Sequence, residues 1–436
     1  MIPIVPIGSV SSELADNLST GINFEGPYDW HYTITNDNID QDFQLLKNNN
    51  IDNIEINLIW SAFQTDVNPP QYNEQNINNV KRVLDKAEQY QIGVLVNFFQ
   101  YWMDTTTGVP TWCIDPWTGN QRTIAIVRDE TIKGYFLDMV AYLVDQFKYS
   151  PSITGWSLLN EPMHSGSYTS EQLTAEREQF HQLIEEGATI IRNRDNRPIT
   201  VKFTLPYSPW HTRTGTQYET FVDFNRVIQS LDFISINTFA DPNDFGTTQT
   251  WEGTTWFDFI QAVQETKNAG YQFWVTEFGD DNRRDEIQRK YYQEAIGIFK
   301  ELGVDKCFGW VWVHDSRDEK FNLCKKDGNP RPAFFELNLN TETPPPPSEM
   351  TTEDWASFWE WLKINPPGWL KSDWSQSLEI SLQEWKTQTG ITDMNAENWT
   401  VFWEWLKQNP LSIVKTPRKW STALEELLST WKAENL

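Results

Sequence analysis

Two glutamates in this chain each follow an apolar run at the point where it breaks off. One is Glu161 in Gly155-Trp156-Ser157-Leu158-Leu159-Asn160-Glu161-Pro162. The other is Glu277 in Phe273-Trp274-Val275-Thr276-Glu277-Phe278-Gly279. Proline after Glu161 ends a regular ladder, and Gly279 frees the backbone, so both carboxylates are expected at the C-terminal edge of a strand. Cleaving a glycosidic bond needs two such groups. A carboxylic acid protonates the leaving oxygen, and an ionised carboxylate supplies electrons to the opposite face of the anomeric carbon. When the two sit about 5–5.5 Å apart no water fits between them, so the second attacks directly and configuration is retained. The acid must keep its proton near working pH, through burial or through its partner's charge. Either glutamate alone also reads as an ordinary strand end with a surface carboxylate; the pair is the specific signal.

The elements that must position them alternate regularly. Short apolar runs predict strands over 21–25, 54–59, 92–98, 153–159, 199–203, 233–237, 273–276 and 307–313. Amphipathic stretches between them predict helices over 39–49, 76–90, 130–147, 170–192, 256–268 and 284–301. Eight strand–helix alternations imply a parallel α/β domain. No glycine-rich phosphate loop follows the first strand, which favours a (β/α)8 TIM barrel over a doubly wound sheet. In such a barrel the C-terminal strand ends are where active sites form.

These motifs resemble the retaining (β/α)8 glycosidases whose two glutamates end strands four and seven. The cellulase and β-mannanase group, glycoside hydrolase family five, is the nearest likeness, over residues 15–340. The resemblance implies that Glu161 is the acid/base, Glu277 the nucleophile, and Asn160 the hydrogen-bonding partner of the sugar 2-hydroxyl. Gly309-Trp310-Val311-Trp312 resembles the eighth strand, whose tryptophan floors the central subsite; Trp312 is preferred over Trp310 for that role. Asp327-Gly328-Asn329-Pro330-Arg331-Pro332-Ala333-Phe334 resembles the run-out after that strand. Three positions depart from the family pattern. Ile54-Glu55-Ile56-Asn57 offers no arginine on strand two, and Asn97-Phe98-Phe99-Gln100 stands where a histidine is common. The His-x-Tyr of strand six becomes Asn237-Thr238-Phe239, so Phe239 cannot donate a hydrogen bond to the nucleophile. Trp60 and Trp102, with Trp30, Trp210 and Trp251, lie near strand tops as candidates for stacking on sugar; His164 and His211 are weaker candidates.

Composition narrows the partners. The chain has 436 residues, 39% of them hydrophobic, and a formal net charge of −26. That charge repels nucleic acid, anionic membranes and polyanionic sugars, leaving a neutral carbohydrate as the expected partner. No run is apolar for long enough to span a bilayer. The start, Met1 to Val10, lacks the basic region of a signal peptide, and localisation stays open, extracellular if a leader was removed. Cys113, Cys307 and Cys324 are too few for a disulfide framework, with Cys307–Cys324 the nearer pair, and no metal or cofactor is expected.

Pro344 to Pro347 form a stiff spacer, so the expected organisation is a catalytic barrel over 1–342, a proline-rich linker over 343–349 and a small all-α domain over 350–436. The last holds two tryptophan-rich repeats, 350–390 and 394–436. Glu353-Asp354-Trp355, continuing through Phe358-Trp359-Glu360-Trp361-Leu362-Lys363, returns as Glu397-Asn398-Trp399 and Phe402-Trp403-Glu404-Trp405-Leu406-Lys407. Trp374, Leu378, Leu382 and Trp385 match Trp420, Leu424, Leu428 and Trp431, each set on one helical face. Each repeat therefore reads as a helix pair. Trp355, Trp359 and Trp361 cannot all face inward, so a surface tryptophan is expected, for glycan binding or protein docking. The combined expectation is a retaining hydrolase of neutral β-linked mannan or glucan. An exo-acting β-glycosidase and a non-catalytic carbohydrate-binding barrel are the alternatives.

Overall fold

The computed structural model describes residues 18–24, 39–99, 106–162, 170–204, 224–239, 256–280, 284–312, 321–325, 329–339, 352–366, 374–389, 391–408, 411, 424 and 427–428. Contacts divide the chain into two compact units, Met1–Asn340 and Thr341–Leu436.

The first unit is a closed barrel of eight parallel strands. They are β1 (Ser19–Phe24), β2 (Asn53–Asn57), β3 (Gly93–Asn97), β4 (Ile153–Asn160), β5 (Ile199–Thr204), β6 (Phe233–Thr238), β7 (Gln272–Phe278) and β8 (Lys306–Trp312). Each strand pairs with its sequence neighbours, and β1 closes the ring by pairing with both β2 and β8. A short antiparallel hairpin, Gln64–Val67 with Pro70–Tyr72, decorates the connection after β2. All eight expected strands and all six expected helices are present, with ends shifted by a few residues.

The helices lie outside, each burying one apolar face. Local signals set their ends. Asn73 caps Glu74–Tyr90 through the Asn76 amide at 3.2 Å, and Asp129 caps Glu130–Phe147 through Thr131 and Ile132. Such caps contribute about 1 kcal/mol each.

The barrel interior is filled in layers that follow the two-residue period of the strands. Leu95, Phe233, Trp274 and Phe308 form a buried cluster separate from the outer core. Gly21 makes room for it: a Cβ there would stand 2.6 Å from the Phe308 ring. One pleat further toward the C-terminal ends, the same strands carry Asn97, Ser235, Thr276 and Trp310. On three of these four strands the interior therefore changes from apolar to polar just below the mouth.

In the second unit the helices Thr352–Ile364, Trp374–Thr389 and Ala396–Gln408 enclose a tryptophan-rich cluster. Trp374, Leu378, Leu382 and Trp385 are all buried, as one helical face requires. Trp361 and Trp405 are only half-buried at the cluster's edge. Contacts between the first and last of these helices come in matched pairs. Phe358–Trp403 (5.2 Å) mirrors Trp359–Phe402 (5.4 Å), and Trp355–Trp403 (6.1 Å) mirrors Trp359–Trp399 (5.5 Å). The segment expected as a linker, together with Trp420 and Trp431, lies outside the described residues.

Candidate active site

Glu161 follows the last residue of β4. Its amide donates to the Lys202 carbonyl of β5 at 2.7 Å, extending the ladder by one bond. Its φ of 48° is left-handed, a region that costs a non-glycine residue on the order of 1 kcal/mol or more. Turning the backbone there swings the side chain off the strand's alternation. Asn237 Nδ2 of β6 then donates to Glu161 Oε1 at 3.0 Å and to Asn160 Oδ1 at 3.1 Å. Burial pushes the Glu161 carboxyl up to about 7, and the Glu277 charge adds to the rise; the Asn237 bond and Lys202 pull the other way. Below about pH 7 this carboxyl therefore holds its proton.

Glu277 lies one residue before the end of β7 and is buried. Its register partner on β6 is Asn237, just past an irregularity in the pairing. Lys202 Nζ donates to Glu277 Oε1 at 2.5 Å and also to Glu55 Oε1 of β2. All three side chains are almost wholly shielded from solvent. Burial alone would lower the Lys202 pKa; the carboxylates of Glu277 and Glu55 outweigh it and hold the ammonium charged.

An amide chain surrounds this group. Asn97 Nδ2 donates to Asn57 Oδ1 at 2.7 Å, Asn57 Nδ2 to Asn23 Oδ1 at 3.4 Å, and Asn23 Nδ2 to the Thr276 carbonyl at 2.8 Å. Thr276 Oγ1 donates to Asn237 Oδ1 at 2.9 Å, which completes the path to Glu161. Six strands are thus linked around the mouth. Tyr292, from the helix Asp285–Leu302, places its hydroxyl 3.1 Å from the carbonyls of both Phe278 and Trp310, pinning the end of β7 to β8.

The structure brings together Glu161, Glu277, Asn160 and Asn237. The tryptophans divide. Trp312 is fully buried and packs on Phe334 with ring centroids 5.0 Å apart, outside the barrel, whereas Trp310 is half-buried and follows the inward parity of Lys306 and Phe308. Trp60 is also fully buried, bonded to Gln64 and set edge-on against Trp112 and Phe136. It fills the core beside β2 and offers no open face. Phe239 is half-buried against Phe321. Trp102, Trp30, Trp210, Trp251, His164 and His211 lie outside the described residues. Lys202, Asn23, Asn57 and Asn97 escaped the sequence reading as site residues, and Glu55 entered it only as a missing arginine. The usable signal was a lysine and a glutamate on strands otherwise buried on both faces, where charges must pair. The three cysteines are buried and unbridged. Among the described residues no group of three or more His, Cys, Asp or Glu is arranged to hold a metal, and no helix is long and apolar enough to cross a membrane.

Comparison with known proteins agrees with this geometry. The family described as Cellulase (glycosyl hydrolase family 5) matches residues 15–316. The chain belongs to that family. Mannan endo-1,4-beta-mannosidase 1 of Solanum lycopersicum is 21% identical over 270 residues, covering 55% of this chain and 64% of that protein. Probable mannan endo-1,4-beta-mannosidase A of Aspergillus niger is 22% identical, covering 53% and 57%. Both alignments span less than two thirds of the relative's own length. In fold, the chain is similar to a GH5_18 protein of Streptomyces cattleya in complex with GlcNAc (TM-score 0.58, 13% identity, 75% of this chain and 82% of that one). It is also similar to GH5_18 from Bifidobacterium longum subsp. longum (TM-score 0.56, 14% identity, 74% and 78%).

Proposed function

We propose that the barrel hydrolyses a neutral β-linked glycan of mannan or glucan type with retention of configuration. The observation that carries this reading is the division of roles between two carboxyl groups: Glu161 keeps its proton to about pH 7, while Glu277 accepts from a buried ammonium. In the first step a Glu277 oxygen bonds to the anomeric carbon. The bond from that carbon to the leaving oxygen breaks, and the leaving oxygen takes the Glu161 proton. Glu277 then has no charge, so the Coulomb contribution that helped raise Glu161 disappears and its carboxylate becomes a fit base. In the second step Glu161 takes a proton from water, the water oxygen bonds to the anomeric carbon, and the Glu277 ester breaks. Asn160, which accepts from Asn237, is the group this reading assigns to the sugar 2-hydroxyl. The half-buried Trp310, rather than Trp312, is the stacking platform this reading favours, since only a partly open ring can meet a sugar face.

The mannosidase names of the relatives put β-1,4-mannan first among substrates. Hydrolysis of mannan, glucan and aryl β-glycosides, followed by proton NMR of the first-formed anomer, tests the proposal. A β-anomer, with activity lost in Glu161→Gln and Glu277→Gln, supports it. An α-anomer, or full activity in either variant, overturns it.

For residues 350–436 the reading is a separate domain of two helix-pair repeats joined to the barrel by the proline-rich segment 343–349. The mirrored aromatic contacts support it, because equivalent positions of the two copies meet in equivalent ways. Trp361 and Trp405, at matching places and half-buried, are its candidate glycan contacts. Weaker retention of full-length Trp361→Ala/Trp405→Ala protein on insoluble mannan or cellulose is expected; unchanged retention would point to protein docking instead.

A further inference from the structure

The cation beside Glu277 comes from β5, and β2 contributes a second carboxylate. We infer that Lys202 is the positioning and charge-setting partner of Glu277, and that Glu55 is the counter-charge that keeps Lys202 paired throughout the reaction cycle. The inference rests on the reading of Glu277 as the nucleophile.

The geometry gives each group a distinct task. Lys202 donates to Glu277 Oε1 at 2.5 Å, which restrains the carboxylate's rotation. Lys202 and Glu55 are fully shielded from solvent, and an isolated buried ammonium costs several kcal/mol. When Glu277 becomes an ester its negative charge is consumed, and a cation paired to it alone would be stranded. Glu55, the second acceptor of the same ammonium, prevents that: the glycosyl-enzyme retains a neutral Lys202–Glu55 pair. In the resting state the same carboxylate shares the ammonium, so Glu277 is not locked in an exclusive ion pair and keeps its nucleophilicity. Among the described residues, the ionisable groups recorded around Glu277 are Lys202 from β5, Glu161 after β4 and, across Lys202, Glu55 from β2.

Opposite substitutions must therefore act in opposite directions. In Lys202→Met the acid limb of kcat/KM moves to higher pH, by about 1–3 units, the usual effect of losing an opposite charge at contact distance. Glu55→Gln moves the same limb to lower pH and slows formation of the glycosyl-enzyme, read as a smaller pre-steady-state burst with a dinitrophenyl glycoside. Lys202→Arg restores the wild-type limb. Loss of packing alone would not move the limb in two directions. An unmoved limb in folded Lys202→Met, or a limb moved upward in Glu55→Gln, overturns the inference. If Lys202→Met fails to fold, Glu55→Gln and Lys202→Arg carry the test. Azide added to Glu277→Ala separates the two readings. An α-glycosyl azide upholds Glu277, and an unmoved limb then counts against this inference alone. No azide adduct overturns the nucleophile assignment and this inference with it.

Discussion

Asn237 and Glu161 share a hydrogen bond of 3.0 Å in which the amide of β6 donates to the carboxyl that follows β4. That bond favours the ionised form and so opposes the rise caused by burial and by Glu277. In Asn237→Ala the Glu161 carboxyl should hold its proton more tightly. The basic limb of kcat/KM, expected near pH 7 in the wild type, moves to higher pH. A limb that stays in place or moves down would mean that Asn237 does not tune Glu161.

Glu161→Gln removes a proton donor but leaves shape and hydrogen-bonding capacity nearly intact. Hydrolysis of unactivated glycans should fall by about 10²–10⁴-fold, the usual worth of general acid catalysis. Aryl glycosides with good leaving groups need little protonation, so their first step should survive, with the basic limb abolished. Equal losses on both substrate types would argue against the acid role.

The same carboxyl ties stability to pH. Its value in the fold, about 7, lies above the ordinary 4.5, so the folded state holds the proton more tightly than the unfolded chain. The associated stability is fully present below pH 4.5 and is lost as pH rises through 7. Glu161→Gln should therefore melt higher than wild type at pH 8, by up to about 3 kcal/mol of stability, and show no such gain at pH 4. Thermal unfolding at the two pH values decides it.

Trp310 and Trp312 should separate cleanly. Trp312→Ala empties a fully buried site against Phe334 and should cost about 3–5 kcal/mol of stability. Trp310→Ala should leave Tm nearly unchanged and raise KM. The reverse pattern would return the platform role to Trp312.

Gly279 offers a test of the β7–β8 junction. A Cβ there would lie 2.9 Å from the Trp310 carbonyl, a backbone atom that cannot swing aside. Gly279→Ala should push apart the strand ends that Tyr292 pins, lowering kcat more than it lowers Tm. Wild-type kcat would show that the junction tolerates the shift.

Much of this architecture was legible from the chain. Apolar runs of strand length alternating with amphipathic helices specify a parallel barrel, and glutamates stopped by Pro162 and Gly279 mark its mouth. Lys202 was not legible. Ile199-Thr200-Val201-Lys202 alternates as a strand with one wet face would, and only closure of the sheet turns that face inward onto Glu55 and Glu277. The amides were missed for a related reason. Asn23, Asn57, Asn97, Asn160 and Asn237 each look like a polar strand end, and they become a connected chain only when six strands meet in a ring. The choice between Trp310 and Trp312 depended on backbone direction at the end of β8, which a two-residue period cannot supply.

The buried group around Lys202 holds one ammonium against the carboxylates of Glu55 and Glu277, with Glu161 protonated. A resting neutral sugar adds no charge to that group. On the glycosidase reading, positive charge enters beside Glu277 from the substrate, and only as the anomeric carbon approaches an oxocarbenium ion. A sugar ring carrying a protonated nitrogen brings that charge ready-made and should bind far more tightly than the parent sugar, while a uronic acid brings the wrong sign and should be turned away at the mouth.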